Sequence, residues 1–478
     1  MLLLKHINKI NISLFVGFLF FIIFCLNLNS FIGNKLLFFI FNLFSYFLFL
    51  MIIKKNLSSF EFFFYSLLLL GLWFRLSCVL LFDGVTFMEG DINNLLKLPI
   101  DNTMENKLIY VYNKTIFIII ITYSACIVAS FIRQYFFDSF FNIKKRYEMR
   151  KNFIYYYSNY RFLILLLFII MLISLWVTNF YFKIHIKGLI NSDVPKIVKY
   201  FFSWSFTYGF SVITTILIYV DYLIKKQKII FIIGAFEAFF TQLSMFSRAF
   251  ILTFIAYLRG IYIVLDSPIR NYFTTSKILK IFALAILLMT ISYSIVFNLR
   301  TQNFLNENSY NFEPIKIVNE FAYVATHRWV GIDSLMSVVM SEKTGFKLFS
   351  SSLSEKINHR EASFYMKNFF TSFRFEKDSN SKLNTVILPG IVAYLLYADS
   401  LMFLFFSVIF LILLSTSIEM LFLKLSRGNA ILSSIIGYAL AMRLIHFGYI
   451  PLNTIPYLIS FIITLLFVAL ISKIIWKN

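Results

Sequence analysis

The feature that most constrains this chain is a recurrent apolar run. Stretches of about 20 residues with scarcely a charge follow one another from end to end. Each is long enough, as a helix, to cross a hydrocarbon core of about 30 Å. Only 14% of the residues are charged and 60% are hydrophobic, where a soluble domain carries roughly 25% charge. The mean hydropathy is +0.80. A soluble fold cannot hide so many helices that are apolar all round, and a transmembrane β-barrel shows short alternating segments instead. The sequence therefore predicts an all-α polytopic membrane protein.

The formal net charge of +21 does not point to nucleic acid. Lys and Arg gather in short loops between apolar runs, as the positive-inside rule expects, and no basic, aromatic-interleaved soluble module is present. Cys25, Cys78 and Cys126 all fall inside expected spans. They read as small apolar packing residues, with no disulfide or metal spacing. The first apolar run follows Lys5 and Lys9 without a small-residue cleavage site, so it reads as a retained helix and not as a removed signal peptide.

Taken in order, spans are expected at about 10–28, 31–53, 62–82, 113–132, 161–182, 200–223, 229–247, 249–265 and 278–297. These nine form a bundle over residues 1–297. Lys54-Lys55, Lys144-Lys145-Arg146 and Lys225-Lys226-Gln227-Lys228 mark cytoplasmic loops. Arg150, Lys151 and Tyr155-Tyr156-Tyr157 read as an interfacial segment facing anionic lipid. Residues 83–112 carry Asp83, Glu89, Asp91, Asp101 and Glu105 against Lys97 and Lys107, which fits the outer side. The loop 183–199 is basic although the span count puts it outside; the readings are tolerated local charge and attraction of an anionic substrate. The segment 298–385 is the one long polar stretch and reads as a large periplasmic loop of short helices. Over 386–478 a re-entrant or interfacial helix at about 386–398 precedes spans at about 400–424, 430–450 and 456–475. The total is about twelve spans, with both termini cytoplasmic.

Several chemistries lack their motif. There is no phosphate-binding glycine loop, no His-Glu-x-x-His, no Gly-x-Ser-x-Gly elbow and no Asp-x-Asp pair. The histidines are informative by address: His185, His327, His359 and His446 fall on the expected outer side or at its edge, and imidazole is the usual general base near neutral pH. His327 adjoins Arg328, and His359 adjoins Arg360 and Glu361. Arg443 and His446 stand three apart, hence on one helical face. Arginines in or at the lips of spans are costly and tend to be functional. Arg248 lies at the expected start of a helix, where free N–H groups and a planar guanidinium suit a phosphate. Arg300 sits where the ninth span ends. Glu237 and Glu419 are expected as structural partners of arginines, with a proton path as the other reading. Arg75 in the third span is ambiguous in the same way.

The run His327-Arg328-Trp329-Val330-Gly331-Ile332-Asp333 sits in the outer loop, and Leu388-Pro389-Gly390 with Ile391 through Tyr397 follows it. With Phe246-Ser247-Arg248 and the topology, the chain resembles the bacterial O-antigen polymerase (Wzy-type) family of oligosaccharide repeat-unit polymerases. The resemblance implies a C-type glycosyltransferase-like fold in the bacterial inner membrane. It implies growth of a glycan on undecaprenyl pyrophosphate at the periplasmic face, without metal or cofactor. It also implies membrane lipid and a chain-length regulator protein as partners. The residues expected to act are His327, Arg328, Asp333 and His359 in catalysis, with His327 the first choice of base. Arg248, Arg300, Arg443, His446 and Trp329 are expected to hold pyrophosphate and sugar. An O-antigen ligase transferring glycan to lipid A core shares this pattern. A polyprenyl-phosphate-sugar transferase would use Asp83, Glu89 or Asp91 instead. A lipid-linked oligosaccharide flippase is the non-enzymatic alternative.

Overall fold

In a computed structural model the described residues are 2–53, 57–81, 102–141, 148–186, 194–225, 232–247, 249–264, 329–341, 343–355, 363–369, 389–447 and 451–477, with scattered positions between 287 and 299. Among them the chain is helical throughout, apart from one antiparallel bridge that pairs Met149 with Trp476. The long helices are α1 (Leu2–Asn27), α2 (Lys35–Ile53), α3 (Ser59–Leu81), α4 (Asn102–Phe141), α5 (Lys151–Phe182) and α6 (Lys196–Ile224). Two shorter apolar helices follow, α7 (Ile232–Ser244) and α8 (Phe250–Val264). Beyond them come α9 (Ile332–Met340), α10 (Phe346–Leu353), α11 (Phe364–Phe369) and α12 (Gly390–Leu396). The chain closes with α13 (Leu401–Leu425), α14 (Ala430–Ile445) and α15 (Thr454–Ile475).

Seven of these helices are long and apolar enough to cross a membrane: α2 to α6, α13 and α15. Segments 14–27, α7, α8 and α14 are shorter apolar helices. The ninth expected span, 278–297, lies almost wholly outside the described residues. Two helices outrun their expected spans. α4 has 40 residues and α5 begins at Lys151, ten residues before its apolar stretch. Neither sequence contains a Gly or Pro to stop the helix, so helical hydrogen bonding continues past the apolar boundary. The basic and tyrosine-rich interfacial segment is therefore the first turns of α5. The short helix expected at about 386–398 is α12.

α3 is the centre of the bundle. Of its most apolar 18 residues 78% are buried inside the protein, against 17% for α5. α5, α13 and α15 instead turn side chains such as Phe162, Phe410 and Ile462 outward, as lipid-facing helices do. α14 packs along α3 and α8, and α4 packs on α2 and α13. In lipid, close backbone approach is the main packing resource. Gly437 of α14 shows it: a Cβ there would stand 2.5 Å from the amide nitrogen of Phe60.

That contact belongs to a polar knot at one end of the bundle. Ser58 and Glu61 form a capping box at the start of α3. Glu61 also accepts from Ser130 and pairs with Arg133 at 2.9 Å, both side chains being buried. Glu419 of α13 accepts the amides of Ser59 and Phe60 at 3.0 and 2.8 Å and the hydroxyl of Ser433 at 2.7 Å. Arg259 donates to the carbonyls of Leu57 and Ser58 and lies 4.0 Å over the Phe62 ring. Glu419 forms no direct ion pair among the described residues: the amides of a helix N-terminus supply the positive end, with Arg259 in electrostatic reach. Among the described residues Glu237 has no arginine partner and accepts from Ser211 at 2.9 Å and Tyr257 at 2.6 Å. The same end carries Arg161 paired with buried Asp221, and Lys477 paired with Glu148.

Candidate functional site

At the opposite end a π-helical turn, Leu69–Phe74, interrupts α3. Such a turn adds a residue, rotates the helix face that follows and recurs at functional sites. Here it closes on Arg75, whose amide reaches back to the Leu70 carbonyl. The side chain of Arg75 is 5% exposed and donates through Nε (3.1 Å) and Nη2 (2.6 Å) to one oxygen of Asp333. The other carboxylate oxygen, Oδ1, is enclosed and accepts nothing. Asp333 stands in the first turn of α9, where a carboxylate also suits the helix dipole. Tyr112 of α4 is within electrostatic reach of the same carboxylate.

The backbone before α9 is seated directly on the π turn. A Cβ on Gly71 would stand 2.2 Å from the Val330 carbonyl oxygen, and one on Gly331 would stand 2.8 Å from the Gly71 carbonyl oxygen. Only a glycine pair allows this approach. Val330 then reaches Gly390, which has φ +76° and whose Cβ would meet Val330 Cγ1 at 2.8 Å and the Ile445 carbonyl at 3.1 Å. The two motif pieces, Trp329-Val330-Gly331-Ile332-Asp333 and Pro389-Gly390, thus meet at the end of α14, one residue from His446. Trp329 is half-buried against the core, not splayed outward. Gly71→Ala is expected to loosen this seat. Amide exchange across α9, followed by mass spectrometry, should rise about tenfold, since displacing the Val330 carbonyl costs on the order of 1–3 kcal/mol. Unchanged exchange would mean that the backbone absorbs the methyl.

His446 caps α14. Its Nδ1 lies 2.9 Å from the Met442 carbonyl, which can only accept. Nδ1 therefore carries the proton, and in the neutral ring the lone pair is on Nε2. One turn earlier, Arg443 donates through Nη2 to Thr454 at 3.0 Å and lies 5.1 Å over the Tyr457 ring. Its Nε is enclosed and has no acceptor, and no carboxylate pairs with it among the described residues. Tyr208, from a second π-helical turn at Ser205–Gly209 in α6, lies tilted against Tyr457 with ring centres 5.5 Å apart. Its hydroxyl is buried with the Tyr457 hydroxyl as its polar neighbour. Arg443 thus presents an unused donor inside the bundle.

Of the residues singled out from sequence, Asp333, Trp329, Arg443 and His446 are described. His327, Arg328, His359, Arg248 and Arg300 lie outside the described residues. His185 is held by its backbone, which exchanges hydrogen bonds with the Asn179 side chain at 2.7 and 3.2 Å. Arg75 was visible as a cation in an apolar run, but its partner 258 residues away was not. Tyr208 and Tyr457 carried no signal beyond their type. Among the described residues no group of three or more His, Cys, Asp and Glu side chains could hold a metal ion. Comparison with protein-family models, with curated proteins and with solved structures finds no match.

Proposed function

We propose that this protein is an integral-membrane glycosyltransferase. In this reading it extends oligosaccharide repeat units on undecaprenyl pyrophosphate at the periplasmic face of the bacterial inner membrane, as O-antigen polymerases (Wzy-type) do. About twelve spans present the site, and both termini are cytoplasmic. The observation that carries the reading is Arg443. A guanidinium half-buried among apolar helices, with an idle Nε and no acidic partner among the described residues, is costly unless an anion completes it.

The chemistry asks for little else. An acceptor hydroxyl attacks the anomeric carbon of the lipid-linked chain. A new glycosidic C–O bond forms as the bond to the pyrophosphate oxygen breaks, and the charge departs on the lipid. Arg443 stabilises that charge where it develops. The hydroxyl proton passes to a base, for which His327 is the first choice and His446, with its lone pair on Nε2, the described alternative. Asp333 is engaged by Arg75, so its part is to fix the start of α9 beside the site.

Deleting the gene and complementing it tests the reading. Silver-stained lipopolysaccharide from the deletion should show core plus one repeat unit, and the full ladder should return on complementation. Bare core with accumulated lipid-linked polymer would instead identify a ligase, and unextended core without polymer a flippase.

A further inference from the structure

At the end of the bundle away from the candidate site, the chain end is stitched to the start of α5. The Arg150 amide donates to the Ile475 carbonyl at 2.9 Å, and its Nε donates to the Trp476 carbonyl at 3.0 Å. The Lys477 amide donates to the Glu148 carbonyl, and the Lys477 ammonium meets the Glu148 carboxylate at 2.8 Å. Trp476 is buried against Tyr157 and Val220, so this rim is fixed. Between the two strands of the stitch and α5 opens a cleft of about 520 Å³.

Its lining has two halves. Arg150, Lys151, Asn152 and Lys477 form a polar half, at the start of a 32-residue helix that no side chain caps. Phe153, Tyr156 and Ile474 form an apolar half. Tyr156 and Ile474 are 60% and 61% exposed and continue into the outward faces of α5 and α15, where Leu167 and Leu470 are also exposed. Among the described residues three cations stand against one carboxylate, Glu148, which Lys477 already holds below the usual carboxylate range.

We infer that this cleft binds an acidic phospholipid, its phosphate on Arg150, Lys151 and Lys477 and its acyl chains along Ile474 and Phe153. A soluble anion would use only the cationic half. A zwitterionic lipid would bring a fourth cation into a site that already has three. The inference is independent of the transferase reading, because none of these residues belongs to the candidate site.

The test is native mass spectrometry of the full chain in detergent, titrated with palmitoyl-oleoyl phosphatidylglycerol or phosphatidylcholine. The acidic lipid should bind about tenfold or more tightly, as expected for two to three interfacial cations. The triple variant R150Q/K151Q/K477Q should bring the two lipids to within about twofold. K151E alone should weaken the acidic lipid severalfold. Lys151 makes no hydrogen bond in the stitch and lies only in electrostatic reach of Glu148, so it can be changed without removing a stitch contact. K196Q/K199Q at the far end of α6 should leave the preference intact. Equal binding of both lipids by the unaltered protein would overturn the inference. So would retained preference in K151E and the triple variant, or an equal loss in K196Q/K199Q, which would mean bulk charge alone. Displacement by millimolar inorganic phosphate as effective as by the lipid would overturn the acyl half of the site.

Discussion

Replacing Arg443 by methionine is expected to abolish the polymer ladder while leaving the protein as stable as before, or more so. The two halves come from the same geometry. Arg443 gives the fold one hydrogen bond to Thr454 and a face on Tyr457, and it burdens the fold with an enclosed Nε that bonds nothing. Removing a half-buried cation that has no carboxylate partner among the described residues relieves a penalty, a trade of stability against function found where binding residues are strained in the free protein. If Arg443 holds the departing pyrophosphate, the loss in chain extension should be about 10²–10³-fold, the usual cost of deleting one preorganised donor. R443K should recover part of it, because an ammonium restores charge but not the planar fork. The measurements are the lipopolysaccharide ladder and thermal unfolding in detergent. A full ladder from R443M, or its disappearance from the membrane, would remove Arg443 from the site.

The helices were legible because lipid burial writes long apolar runs into sequence. α2, α13 and α15 lie within about four residues of their expected spans. Their ends were less legible where the apolar run stops but no breaker does, as in α4 and α5. The site was legible by residue type and address, not by partnership. Arg443 was picked out as a cation in a costly place, and Asp333 as the end of the loop run that begins at His327. That Asp333 would be taken by Arg75 depends on the π turn that rotates the face of α3 immediately before Arg75. A one-residue insertion of hydrogen bonding leaves no periodicity to read. Glu419 was equally opaque: its partners are backbone amides of another helix, and backbone donors have no sequence signature. The seat of Val330 on Gly71 could have been suspected only from two glycines, in a span and in a loop, with nothing in sequence to join them.

The largest expected effect on stability is at the other end, in the Glu61–Arg133 pair. Both side chains are essentially inaccessible, at 0% and 1% exposure. Taking two such charges from water costs several kcal/mol each, and their attraction repays it only while both are present. R133L alone should therefore destabilise by about 3–5 kcal/mol, by leaving a buried carboxylate without its cation. E61L alone should cost at least as much, because it also opens the capping box and strands Ser130. The double variant E61L/R133L should cost less than either single change plus the other. The shortfall from additivity should be about 2 kcal/mol or more, since an apolar pair of similar volume can replace a buried ion pair at little cost. Unfolding of all four proteins in one detergent closes the cycle. Additive losses would show that Ser58, Ser130 and the helix amides, not Arg133, carry the charge of Glu61. Arg133 would then be a passenger in the knot that anchors α3 to α4.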